Sequence, residues 1–224
     1  VEQVLTLVVR VEKNARPAQT DALETAARAV LAILADERSY GEGEWAEAMT
    51  SWQDDRIRKI VKRARGTEWR RAETLPGITV HGRGVGAEET AAAEVRVFPP
   101  TGVDVVPAEI ANLQVSGTDF VDAGELPSVE AGVPVLWVNP ELEMSSGKAM
   151  AQCGHAAQLS WWALSDEARK EWQASDFALA VRTATRARWS ELLASDRPVV
   201  QDAGFTEIAP GSHTVIADHP QLNR

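Results

Sequence analysis

The chain has 224 residues, 44% of them hydrophobic, a mean hydropathy of -0.22 and a formal net charge of -10. That is room for one large domain or two small ones with proper cores, and it argues against intrinsic disorder. No apolar run approaches the roughly 18 residues of a spanning helix, the first residues lack the regions of a signal peptide, and the single cysteine, Cys153, excludes an intrachain disulfide. The expectation is a cytoplasmic protein with no membrane partner.

The charge is unevenly spread. Residues 1–100 carry 15 Lys and Arg against 16 Asp and Glu, whereas residues 101–224 carry 8 against 17. A net acidic chain is a poor general ligand for nucleic acid, so local clusters matter more than the sum.

In chain order, Leu5-Thr6-Leu7-Val8 predicts a strand, followed by a long Ala-rich helix and a Trp-bearing helix. A strand starting near Arg56 comes next and leads into a short helix. Its Arg56, Arg58, Lys59, Lys62, Arg63, Arg65, Arg70 and Arg71 place eight cations in sixteen residues. Further strands and a turn complete the first half. Residues 101–132 form an acidic, Pro- and Gly-punctuated connecting segment, with Val103–Val106 and Ile110–Val115 as short extended pieces that pack along the rest. Val133–Val138 predicts the next strand, and a helix follows to about Leu164. Cys153 on that helix reads as a buried, inert thiol.

The second half repeats the first. A shift of 130 residues lays Leu5–Val8 on Val135–Val138 and Ala26-Ala27 on Ala156-Ala157. A shift of 120 lays Trp69 on Trp189, Val80 on Val200, Gly84 on Gly204 and Val95 on Val215. Self-similarity at fixed offsets argues for two copies of one fold. Trp45, Trp69, Trp172 and Trp189 then occupy repeat-equivalent places as core or interface anchors.

Two segments carry the chemistry. The stretch from Met144 to Ala157, with Ser146-Gly147-Lys148 opening a helix that reads Ala151-Gln152-Cys153-Gly154-His155-Ala156-Ala157, is similar to the first signature of the type 2 peptidyl-tRNA hydrolases. Asp202-Ala203-Gly204-Phe205-Thr206-Glu207-Ile208, followed by Gly211-Ser212-His213-Thr214-Val215, is similar to their second. The resemblance covers about residues 132–220. Four departures each subtract positive charge: Glu143 and Ser146 stand where the family's turn carries lysines, Phe205 where it has Arg, and Glu207 where it has Gln.

The resemblance implies a mixed sheet. The expected fold is therefore α/β, with two similar three-layer α/β/α modules, each built on a mixed sheet of about four strands. Residues 1–100 form a degenerate, non-catalytic module and residues 133–224 the module with the site. The resemblance also implies hydrolysis of the ester that joins a peptide to the 3′ end of tRNA. Lys148 would stabilise negative charge or hold phosphate, helped by helix N-terminal N–H groups. Asp202 would orient or activate water, Thr206 would position it, and His155 stands beside them. Ser146, Gly147, Arg58, Lys62 and Arg63 are the expected substrate contacts. No metal or cofactor is required. In the first copy Ala18, Thr25, Gly82 and Gly86 replace Lys148, His155, Asp202 and Thr206. Two other functions fit the residues: an RNA- or protein-binding member of the fold with weakened catalysis, and a hydrolase for another small ester or amide. The family's dimers raise the expectation that the modules imitate one within a single chain.

Overall fold

The computed structural model describes residues 1–88, 91–203 and 207–223. Strand β1 (Gln3–Arg10) leads into α1 (Gln19–Ala35), α2 (Ala46–Gln53), β2 (Arg58–Ala64), α3 (Gly66–Glu73), β3 (Ile78–His81) and β4 (Glu94–Val97). The connecting segment contributes β5 (Thr101–Gly102) and a single helical turn, α4 (Ala108–Ala111). The series then repeats as β6 (Val135–Val138), α5 (Ser146–Ala163), α6 (Asp166–Ala174), β7 (Ala180–Thr183), α7 (Arg186–Leu193), β8 (Val199–Gln201) and β9 (His213–Asp218).

The two sheets share one topology. The first runs β2-β1-β4-β3 and the second β7-β6-β9-β8. In each, the first pair is parallel and the others antiparallel, so both sheets are mixed, as expected. The first gains β5, paired to β1. Matching local devices extend the likeness. Ile57 and Phe177 both hold a left-handed backbone, at φ 49° and 52°. One residue on, the carbonyls of Arg58 and Ala178 accept the ring N–H of Trp52 and Trp172. The counterpart of Trp172 is therefore Trp52 and not Trp45. The left-handed turns also explain why β2 and β7 start later than the apolar pattern indicates.

Period-two alternation sorts each strand between two layers. In β1, Leu5, Leu7 and Val9 face α1, while Val8 faces a smaller cluster with Trp69, Ala72 and Ile110. In β9, Val215 and Ala217 face α5, and Ile216 faces Trp189 and Leu192. The order of layers is thus α3 with α4, first sheet, α1 and α5, second sheet, α7. Helix α1 is buried almost throughout, its polar Asp21, Glu24 and Arg28 included.

The connecting segment departs from its expected form. Ile110 lies in α4 instead of an extended piece, and the strand pairing is at Thr101–Gly102. Further on, Arg63 N donates to Gln114 O at 2.9 Å, which covers the free edge of β2.

Polar contacts also lock the halves. Glu24 of α1 is buried and its Oε2 accepts from Val181 N at 2.9 Å and Arg182 Nη1 at 3.2 Å on β7. Removing one partner of such a buried pair leaves the other uncompensated. Glu24→Ala is expected to destabilise the fold by about 3 kcal/mol, read as a lower denaturant midpoint. A shift no larger than that of an exposed carboxylate would show that this contact does not hold the halves together.

Candidate active site

The N-terminus of α5 is built by short-range capping. Ser145 takes the cap position, and its Oγ accepts from Lys148 N at 3.2 Å. Glu207 then accepts from Ser145 N at 2.8 Å and from Ser145 Oγ at 2.6 Å. A carboxylate at this end suits the helix dipole. The added negative charge at Glu207 thus has a structural use. Gly147 N donates to Thr118 O at 3.0 Å, so the first-turn N–H groups are largely occupied and do not point free into the site.

One turn into the helix, Lys148 Nζ donates to Asp202 Oδ1 at 2.6 Å. Both side chains are mostly buried, at 12% and 5% exposure, so water screens the attraction weakly. The backbone around Asp202 is pinned by bonds from its N to Ser212 O and from Gly211 N to its O, at 2.8 and 2.9 Å. Gln152, one turn beyond Lys148, accepts from Thr214 Oγ1 at 2.5 Å and joins α5 to β9. Thr206 lies outside the described residues.

These groups open onto a cavity of about 950 Å³ between α5 and the edge strand β2 of the first half. Lys148, Asp202, His155 and Gly147 line it from one side and Arg56, Arg58 and Lys59 from the other. Two sequence segments almost a hundred residues apart share one cleft. Acidic groups also reach its wall: Glu2, Asp119 and Glu207. Glu2 accepts from Arg58 Nη1 at 2.9 Å.

The other expected substrate contacts are engaged elsewhere. Ser146 is buried and its Oγ donates to Gln19 Oε1 at 2.7 Å and accepts from Phe120 N at 2.8 Å, tying α5 to α1 and to the connecting segment. Lys62 points to the opposite face of β2 from Val61, where it donates to the carbonyls of Ile110 and Ala111 at 2.9 and 2.7 Å. It caps the end of α4. Arg63 donates to Ser116 O at 3.1 Å and to the Gln114 side chain. Lys62 and Arg63 serve the connecting segment and do not line the cleft.

His155 lines the cavity, and its Nδ1 is 2.8 Å from Lys59 Nζ. Burial, with Lys59 and then Lys148 adding like charge, pushes its pKa well below the usual histidine value. It is a neutral imidazole near pH 7. Lys59 and Glu207 were not nominated by the motifs: Lys59 is one basic residue among eight, and its target lies in the other half. Among the described residues no group of three or more His, Cys, Asp or Glu side chains could hold a metal.

Residues 133–224 match the family model Peptidyl-tRNA hydrolase PTH2. Through this module the chain is similar to the type 2 peptidyl-tRNA hydrolases. Over 99 residues it is 36% identical to the Bos taurus protein "Peptidyl-tRNA hydrolase 2, mitochondrial" and 33% identical to the Homo sapiens protein of that name. The alignments cover 38% of this chain and 54% of each relative, so the chain spans about half the length of the curated relatives it matches.

The equivalent positions of the first half hold other groups. At the counterpart of Asp202, a Cβ on Gly82 would overlap the Asp21 carboxylate, which instead accepts from Arg83 N and Ala93 N at 2.9 and 2.7 Å. At the end of α1, Asp122 of the connecting segment accepts from Thr20 N and Oγ1 at 2.9 and 2.7 Å. The space is filled by these two carboxylates, each held by two hydrogen bonds.

Cys153, on the α5 face turned to α1, is fully buried, and burial pushes its thiol pKa strongly up. Thiol reagents are expected to leave it untouched in native protein at pH 8 and to label it after denaturation, read by mass. Rapid native labelling would show that α1 and α5 separate readily.

Proposed function

We propose that the chain hydrolyses the ester linking a peptide to the 3′ end of tRNA, with the reaction in the second module. The observation that carries this reading is the buried Lys148–Asp202 pair at the floor of a large cleft in the family-matched half. Asp202, held beside Lys148, orients a water and takes its proton as the water oxygen attacks the ester carbonyl. An ammonium has three donors, so Lys148 gives one to Asp202 and keeps others for the carbonyl oxygen as it gains charge. Collapse breaks the bond to the ribose oxygen, which leaves with the proton that Asp202 took from water, and the peptide departs as a carboxylic acid that loses its own proton to solvent. No step needs a covalent enzyme intermediate or a metal.

In this reading residues 1–100 form a non-catalytic module and residues 101–132 a connector. The first module supplies one wall of the cleft. Of its eight clustered cations, Arg56 and Arg58 stand where they can meet phosphates of the tRNA end, with Lys59 deeper. Pairing of the modules within one chain then takes the place of a dimer. The carboxylates in the cleft wall favour one rival, a hydrolase for a smaller ester that needs no phosphate grip.

The test is release of peptide from peptidyl-tRNA at low and moderate salt. Asp202→Ala is expected to lower kcat by about 100-fold or more. Arg56→Ala with Arg58→Ala is expected to raise KM and to flatten the salt dependence, because each lost phosphate contact removes part of the counterion release. Turnover insensitive to salt and to both arginines would point to the smaller ester. Wild-type turnover equal to that of Asp202→Ala would sink the assignment of the site.

A further inference from the structure

Lys59 belongs to β2 of the first half, yet its side chain ends on α5. Gly154 makes the approach feasible: a Cβ there would lie 3.0 Å from Val30 Cγ2 and 3.4 Å from Lys59 Cδ. The Nζ of the buried Lys59 meets three acceptor positions, Ile57 O at 3.2 Å, His155 Nδ1 at 2.8 Å and Gln158 Oε1 at 2.6 Å. The Trp52 ring lies 4.8 Å away, a face that favours a cation.

Proton counting then decides the histidine. Burial pushes the Lys59 pKa well down, whereas two oxygen acceptors and the Trp52 face favour its ammonium form, which donates three hydrogen bonds and accepts none. Two of its partners are oxygens, so the third bond goes to a bare Nδ1. The proton of the neutral imidazole must sit on Nε2, the nitrogen left for the cavity that His155 lines. This matters because Gly147 N and Lys148 N already bond to Thr118 O and Ser145 Oγ. The cleft therefore needs a side-chain donor for an oxygen that gains negative charge.

We propose that Lys59 is a positioning residue for the reaction of the second module: it locks His155 in the Nε2–H tautomer, so that this N–H supports the charged oxygen alongside Lys148. The proposal rests on the hydrolase reading above. The first module, with its own site positions lost, thus completes the site of the second.

The primary experiment is long-range ¹H–¹⁵N correlation of the imidazoles in the full chain. The chain has four histidines, and His155→Gln assigns the relevant signals. Wild type is expected to show a protonated Nε2 and a bare Nδ1 at His155. The apolar variant Lys59→Met, checked for folding by circular dichroism, is expected to mix the tautomers. Its kcat on peptidyl-tRNA should fall by about tenfold, less than deletion of a charge-stabilising donor outright, with KM little changed. In a His155→Gln background the same substitution should have no further effect on kcat, since Lys59 acts through the ring.

An Nδ1–H tautomer in wild type would mean that Lys59 is a neutral amine accepting from the ring, and would overturn the proposal. So would a folded Lys59→Met with unchanged tautomer and kcat, or a loss that persists in the His155→Gln background. If Lys59→Met does not fold, the wild-type spectrum still decides. Wild type without turnover would remove the hydrolase reading and the catalytic half of this proposal, while the spectrum would separately uphold or overturn the tautomer.

Discussion

Contact between α1 and α5 along their small-residue faces is the constraint on which the molecule depends. Ala26, Ala27 and Val30 of one helix meet the side of the other that carries Cys153, Gly154, Ala156 and Ala157, and all but Gly154 belong to a single buried cluster spanning both halves. Small side chains let two helices lie close, and closeness decides what else can touch. Each helix then packs on its own sheet and also reaches the edge strand of the other, α1 toward β7 and α5 toward β2. Without that approach β2 would end at solvent, and the cleft would have one wall.

The cleft follows from this geometry as a shared object. Its floor, Lys148 with Asp202, belongs to the family-matched half and is low in solvent, where a single ion pair acts strongly. Its opposite wall is the start of β2 and the residues just before it, carrying Arg56, Arg58 and Lys59. The acidic balance of the second half therefore matters less than it does in the sequence, because the cations facing Lys148 come from the first. The connecting segment has a similar double use. Its carbonyls hold Lys62 and Arg63 away from the cleft, and its Asp122 closes the end of α1.

Much of the fold was legible in the chain. Apolar alternation marked the strands, and the two offsets anticipated a second sheet with the topology of the first, because a repeated fold repeats its buried positions. The mixed character of the sheets came from resemblance, since pattern alone does not give strand direction. Residues whose roles are local were also readable: Lys148 in a capped first turn and Asp202 in a tight turn. The failures are all contacts across long separations. Ser146, Lys62 and Arg63 looked available because nothing near them in sequence competes for them, yet their partners lie in α1, α4 and the connecting segment. Lys59 was hidden in a run of eight cations for the same reason. The Trp45 pairing missed because a ten-residue change of offset falls just before Trp52.

The filled space beside Gly82 limits what one substitution can build in the first half. The Asp21 carboxylate occupies the room a side chain at 82 would need and takes the N–H groups of Arg83 and Ala93. An aspartate placed at 82 would collide with that carboxylate and put two negative charges on one spot. A second pocket like that of Lys148 and Asp202 therefore takes more than one change, and the first half as it stands is shaped to be a wall for its twin.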